Sequence, residues 1–279
     1  MNRQDLAREA AKKAAQLRAE LGFRAAQPVC PYDIAEALGI TVRLEPLPSL
    51  EGMYSPGEPP AIVLTSLRPA GRRRFTCAHE LGHHVFSHGA RLDEMTPTRD
   101  RTMDREEFLA NRFAAALLMP KLAVENAFIR RGASATVPTV DEVFVVAQDL
   151  GVGFTTLLDH MSFTLRLIGK TTADKLRKVQ LPKLRASIAG TPVLEDLFPI
   201  DAAWGSRALD VEVGDELLLP NGAEVHGVAL CPNAWGHTAL AAGKAEIAIP
   251  GRQERLQVRV CRREFSGLAK YRYLEDCDD

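Results

Sequence analysis

Apolar positions along this chain recur first at helical spacing, then alternate, then return to helical spacing. MNRQDLAREAAKKAAQLRAELG alternates charge with Ala and Leu, which predicts an amphipathic helix closed by Gly22. PVCPYDIAEALGITVRLEPL predicts a short helix from Tyr32 to Leu38, a stop at Gly39 and a strand from Ile40 to Leu44. Gly52-Met53-Tyr54 and Ala61-Ile62-Val63-Leu64 read as two short strands joined by a turn over Ser55 to Pro60. Phe75, Ala78, Leu81, Val85 and Phe86 then repeat as one face of a helix within Arg72 to Gly89. Glu107, Ala110, Ala114, Leu117 and Leu118 share a second face within Met103 to Pro120, supported by Phe113 and ended by Pro120.

A helical run follows from Lys121 to Arg131. In residues 139–168, Ala147, Gly151 and Leu157 fall at helix-turn-helix spacing with Gly151 at the turn. Residues 171–192 are locally basic with little apolar periodicity and read as a linker with a helical portion. From Val193 the texture changes. VLEDLFPIDAAWG suggests an entering helix, and ALDVEVGDELLLPNG, EVHGVALC, TALAAGKAEIAIPG and ERLQVRVCRR are short alternating runs broken by Gly, Pro and Asn-Gly. The expected layout is an α+β domain over 1–170 that includes the helical pair, a linker, and a smaller β-rich domain over 193–279.

The chemistry is concentrated in His79-Glu80-Leu81-Gly82-His83. Residues four apart on a helix lie on one face, so His79 and His83 can aim two imidazoles at one ion. Glu80 stands beside them, where a carboxylate can reach an activated water without being a ligand. This is the H-E-x-x-H metallopeptidase pattern. Gly82 costs about 1 kcal/mol relative to Ala in a helix interior, so its presence predicts close approach of a neighbouring backbone or a substrate.

A catalytic zinc normally takes three protein ligands. Glu107 lies on the apolar face of its helix, where a buried carboxylate must be paired or bind a metal, whereas Glu106 lies a residue off that face. Asp93 and Glu94 are rival ligands. Asn111, four residues on from Glu107, is placed to hydrogen-bond the other nitrogen of a ligand histidine. Zinc is the default ion for two His and one carboxylate, and manganese suits the same donors. Tyr54, His84, His88 and His160 are candidates for the cleft and for stabilising the oxyanion. The 52–64 segment reads either as one wall of that cleft, holding an extended peptide along a strand edge, or as plain sheet scaffold. Arg72, Arg73 and Arg74 read as a solvated helix start rather than an anion site.

Composition narrows the function classes. The net charge of -1 over 279 residues argues against a general nucleic-acid or membrane-surface binder. No segment has the uninterrupted apolar length of a membrane span, and the N-terminal helix lacks an apolar signal core. The five cysteines Cys30, Cys77, Cys231, Cys261 and Cys277 contain no C-x-x-C pair and fit reduced thiols in a cytoplasm. Cys231, His237, Cys261 and Cys277 are too scattered to suggest a second metal site. In 139–168, Asp141, Glu142, Asp149 and Asp159 outnumber Arg166 and Lys170, so packing or substrate docking is favoured over direct DNA contact.

FTCAHELGHHVFSH followed by EFLANRFAAALLMP resembles the ImmA/IrrE family of metallopeptidases over roughly residues 28–168. The resemblance implies a minimal thermolysin-like zincin domain with a small sheet beside the motif helix. It also implies His79, His83 and Glu107 as zinc ligands, Glu80 as general base, and a helix-turn-helix repressor of a stress-response or mobile-element operon as substrate. Cys77 stands where many relatives carry an aliphatic residue. Two other functions use the same residues: a metal-dependent sensor that signals without cutting, and a DNA-binding regulator acting through 139–168. Neither has a use for Glu80.

Overall fold

In the computed structural model, residues 2–94, 104–205 and 207–274 are described, with the side chains of 91–94 set aside. The rival ligands Asp93 and Glu94 therefore have a described backbone only, and Cys277 lies outside the described residues. The chain divides into two compact units. The first comprises residues 1–123, 150–152 and 264–271, and the second 124–149, 153–263 and 272–279. This division differs from the expected 1–170, 171–192 and 193–279. Most of the helical pair, apart from residues 150–152, groups with the β-rich region, and residues 264–271 group with the first unit.

The first unit begins with α1 (Arg3–Glu20), capped by Asn2, whose Oδ1 accepts from the backbone N–H of Gln4 and Asp5 at 2.9 and 3.0 Å. Leu6, Ala10, Ala14 and Leu17 form its buried stripe. Then come α2 (Pro31–Ala37), β1 (Thr41–Glu45), β2 (Leu50–Ser55), β3 (Ala61–Thr65), α3 (Ala70–Val85), β4 (Arg91–Glu94) and α4 (Arg105–Leu118). Helix α4 packs against both α1 and α3. Arg18, buried on α1, donates to the carbonyl of Leu117 at 2.8 Å near the end of α4 and to that of Arg24 at 2.9 Å. The first of these bonds satisfies a carbonyl left open at the end of α4, and burial lowers the pKa of Arg18 to about 10.

Alternation decides which face of the sheet is covered. Val42 and Leu44 of β1, Gly52 and Tyr54 of β2, and Ile62 and Leu64 of β3 are buried, as a period of two requires. Helix α3 packs on β2 and β3. Strand β1 is parallel to β3, β3 is antiparallel to β2, and β2 is antiparallel to β4. The order is completed by β13 (Gly267–Leu268), which pairs antiparallel with β1 to give β13-β1-β3-β2-β4. The reading of 52–64 as a strand edge is corrected here: β2 and β3 are interior, with β4 and β13 at the edges.

In the second unit, α5 (Lys121–Ile129, its first turn still in the first unit) precedes α6 (Val140–Leu150) and α7 (Phe154–Asp159). Gly151, at φ 71 and counted with the first unit, makes the expected turn between them, Gly153 caps α7, and a π-helical turn over His160–Thr164 follows. The presumed linker holds two short helices, α8 (Lys170–Arg177) and α9 (Leu181–Ala189). Pro182 lies in the first turn of α9, and Gly190 at φ 72 stops it.

The helix expected after Val193 is instead β5 (Leu197–Pro199). Leu197 and Phe198 are buried, and the strand pairs parallel with β7 (Glu216–Leu218), so long-range pairing overrides a locally ambiguous run. Strands β6 (Leu209–Glu212), β8 (Glu224–His226), β9 (Leu230–Pro232), β10 (His237–Ala239), β11 (Gly243–Ala248) and β12 (Leu256–Cys261) complete two four-stranded sheets, β5-β7-β10-β9 and β6-β12-β11-β8. Phe198, Trp204, Leu209, Leu217, Ile247 and Val258 lie in their common core. Among the described residues, no helix is long and apolar enough to cross a membrane.

Candidate metal centre

Helix α3 carries the H-E-x-x-H residues on its buried length, and Gly82 explains how α4 reaches them. A Cβ on Gly82 would stand 2.8 Å from Cα of Ala110 on α4. The two backbones thus touch at a position where only glycine fits. Glu107 lies one turn before Ala110, so the contact that requires Gly82 also brings the carboxylate to the histidines. Its oxygens are 3.3 Å from Nε2 of His79 and 3.5 Å from Nε2 of His83. The two Nε2 atoms are 3.0 Å apart. His79 and His83 are buried and Glu107 is partly exposed.

These separations test the site against a metal. A tetrahedral ion with bonds of about 2.0–2.1 Å places its ligand atoms about 3.3–3.4 Å apart. The two nitrogens are 3.0 Å apart and each has a different oxygen of the Glu107 carboxylate at 3.3 or 3.5 Å, close to that value. Two neutral imidazoles and one carboxylate are also a donor set of the catalytic-zinc type, with one side left for a water or substrate. The residues fit. Among the described residues, this is the one cluster of His, Cys, Asp and Glu that could hold a metal ion.

Glu80 is almost fully buried. A Cβ on Gly52 of β2 would lie 2.6 Å from its Oε1 and 2.6 Å from Cγ2 of Thr76. The missing side chain at Gly52 is therefore the space that the Glu80 carboxylate occupies. Sequence reading passed over this residue, although a glycine inside a strand is a signal of close approach.

Tyr54 shares the face of β2 with Gly52, and its Oη lies 3.0 Å from Nδ1 of His84 with the rings edge to face. Burial raises the Tyr54 phenol pKa and lowers that of the His84 imidazole, so both favour their neutral forms. The structure thus joins two of the four cleft candidates into one pair. His88 stands elsewhere: its Nδ1 lies 2.9 Å from Nδ1 of His83, on the far side of that ring from Nε2. It occupies the place beside a candidate ligand histidine that was expected of Asn111, which sits half-buried on α4. His160 is buried in the π-helical turn of the second unit.

The arginine run is corrected. Arg72 is solvated and pairs with Glu51 at 2.9 Å, but Arg73 and Arg74 are buried on α3. Cys30, Cys77 and Cys261 are buried and Cys231 is exposed. Among the described residues, Cys231, His237 and Cys261 form no metal cluster.

Comparison with known proteins matches part of this chain to a family. No curated protein matches this chain. A solved structure of a Mycobacterium tuberculosis transcriptional regulator is similar at 20% identity and a TM-score of 0.34, over 56% of this chain and 45% of that one. This chain thus spans less than half the length of that structure. Residues 35–161 match the profile of the peptidase M78 family, described as the IrrE N-terminal-like domain. That stretch runs from α2 through α3 and α4 to the start of the π-helical turn and includes His79, Glu80, His83 and Glu107. The chain therefore carries, at residues 35–161, an IrrE N-terminal-like domain of the M78 peptidase family.

Proposed function

We propose that this chain is a zinc-dependent endopeptidase that cuts a regulatory protein, such as a helix-turn-helix repressor, in a cytoplasm. Cleavage would relieve repression of a stress-response or mobile-element operon. One observation carries the reading. Glu80 follows the ligand candidate His79 on the same helix, and β2 leaves room for its carboxylate at Gly52. A site that only held a metal would have no use for that carboxylate.

His79, His83 and Glu107 would hold the zinc, with manganese as the alternative ion. When bound, the metal supplies Lewis acidity, which polarises a carbonyl and brings the pKa of a water down to about 7. Glu80 would accept a proton from the attacking water on a carboxylate oxygen as the new C–O bond forms, and would return it to the amide nitrogen as the C–N bond breaks. The Tyr54–His84 pair offers an N–H or O–H for the developing oxyanion.

Ion pairs of the second unit weigh against DNA contact. Asp149 is fully buried and accepts from Arg130 at 3.1 Å, Arg131 at 3.0 Å and the N–H of Gly205 at 2.7 Å. Asp159 pairs with Arg177. Acids of the helical pair thus neutralise bases that a DNA reader would turn outward.

The test compares new protein N-termini in cells expressing wild type or Glu80→Gln, both shown to be metal-loaded. One or a few termini found only with the wild type are expected, and they would name the substrate. Identical termini, with both forms restoring a deletion phenotype, would make the centre a sensor and overturn the reading.

A further inference from the structure

Helix α3 ends on a left-handed residue that is not glycine. Ser87 has φ 53, its N–H donates to the carbonyl of His84 at 3.0 Å, and the N–H of His88 donates to the carbonyl of His83 at 2.9 Å. With Phe86 as the C-cap, these are the paired 5→2 and 6→1 bonds of a Schellman turn. Such a turn folds the second residue past the cap back onto the residue three before it, commonly through an apolar contact. Here those two residues are His88 and His83, and the contact is polar. Their Nδ1 atoms are 2.9 Å apart and their rings meet at 64°. His88 is buried and stacks on Phe86 with ring centroids 5.6 Å apart.

We propose that His88 is a positioning residue of the metal centre, holding His83 in the tautomer and orientation that leave its Nε2 free to bind the ion. This rests on reading His79, His83 and Glu107 as ligands. A ligand imidazole binds through an unprotonated nitrogen, so Nε2 of His83, which faces His79 and Glu107, carries no hydrogen. The hydrogen is then on Nδ1, and the 2.9 Å contact lets it donate to Nδ1 of His88. His88 in turn must carry its own hydrogen on Nε2. The helix cap and the ligand's hydrogen bond are one device: the backbone turn that terminates α3 delivers the acceptor.

The test titrates Co2+ against a chromogenic chelator and reads the cobalt ligand-field spectrum of wild type, His88→Asn, His88→Leu and His79→Ala. Asn and Leu both lose the stacked ring, but only Asn keeps an acceptor at that distance. His88→Asn should bind within about threefold of wild type, whereas His88→Leu should bind about 10–100-fold more weakly with an altered spectrum. Equal weakening of both variants would make the ring a packing element and overturn the assignment. So would wild-type affinity in His88→Leu. Should His88→Leu not fold, His88→Met, with similar bulk and a poor acceptor, takes its place with the same expectation. If wild type binds no Co2+, or if His79→Ala binds as tightly as wild type, the metal centre itself is misread. Failure confined to the His88 variants leaves that centre standing.

Discussion

At the scale of single residues, two glycines set the geometry by what they omit. Gly52 omits a Cβ that would lie 2.6 Å from Oε1 of Glu80, closer than two such atoms can come. Substituting Ala there must move either the carboxylate or β2. Since β2 is held on both sides by β3 and β4, the carboxylate is the group that yields. Gly52→Ala is therefore expected to lower peptide-bond hydrolysis at least tenfold while leaving metal affinity within about threefold, because 1.4 kcal/mol of misplacement already gives the first figure. Steady-state cleavage and a metal titration on the same preparation check it. Unchanged turnover would show that the carboxylate has other room.

At the scale of elements, the contact of α3 with α4 is the critical one. Gly82→Ala would gain about 1 kcal/mol of helix propensity. Against this, the new methyl would sit 2.8 Å from a backbone Cα of α4, and overpacking of that kind costs about 1–3 kcal/mol. Backbone cannot rotate aside as a side chain can, so the clash should win. The helices separate where Glu107 enters, and the variant should lose both stability and at least tenfold in metal affinity. Chemical denaturation and metal titration measure the two. A more stable variant with full affinity would mean that the helices slide without cost.

At the scale of the whole molecule, each unit has its own sensitivity. In the second unit, Asp215 is buried and accepts from the N–H of Glu212 at 2.7 Å and from Arg263 at 3.1 Å. Burial first, then the nearby Asp196 and Glu212 carboxylates, raise its pKa to about 7, against the lowering effect of those two donors. An unfolded Asp gives up its proton near pH 4. Between about pH 4 and pH 7 the folded state therefore binds the extra proton. The stabilisation from Asp215 is full below that window, falls as pH rises through it, and is constant above it. Asp215→Asn should flatten this part of the stability profile relative to wild type. Urea unfolding at pH 5, 6 and 8 gives the comparison, and parallel profiles would remove Asp215 as the cause.

The sequence by itself determined the parts of this protein that depend on local period and residue chemistry. The stripe Phe75, Ala78, Leu81 and Val85 placed the motif residues on a helix, the four-residue spacing of His79 and His83 set them on one face, and the alignment of Glu107 put it forward as the third ligand candidate. The family resemblance named from those motifs agrees with the domain matched at residues 35–161. Gly82 announced a close contact without saying with what. The tertiary structure decided everything that depends on which distant segments meet. It placed Ala110 against Gly82 and Glu80 against Gly52. It buried Arg73 and Arg74. It made a strand of Leu197–Pro199 by pairing it with β7. It also returned residues 267–268 to β1, more than 200 positions earlier. The physical reason is range: helical and strand periods are written by neighbours a few residues apart, whereas a pairing or a close approach depends on a partner that the local pattern does not contain.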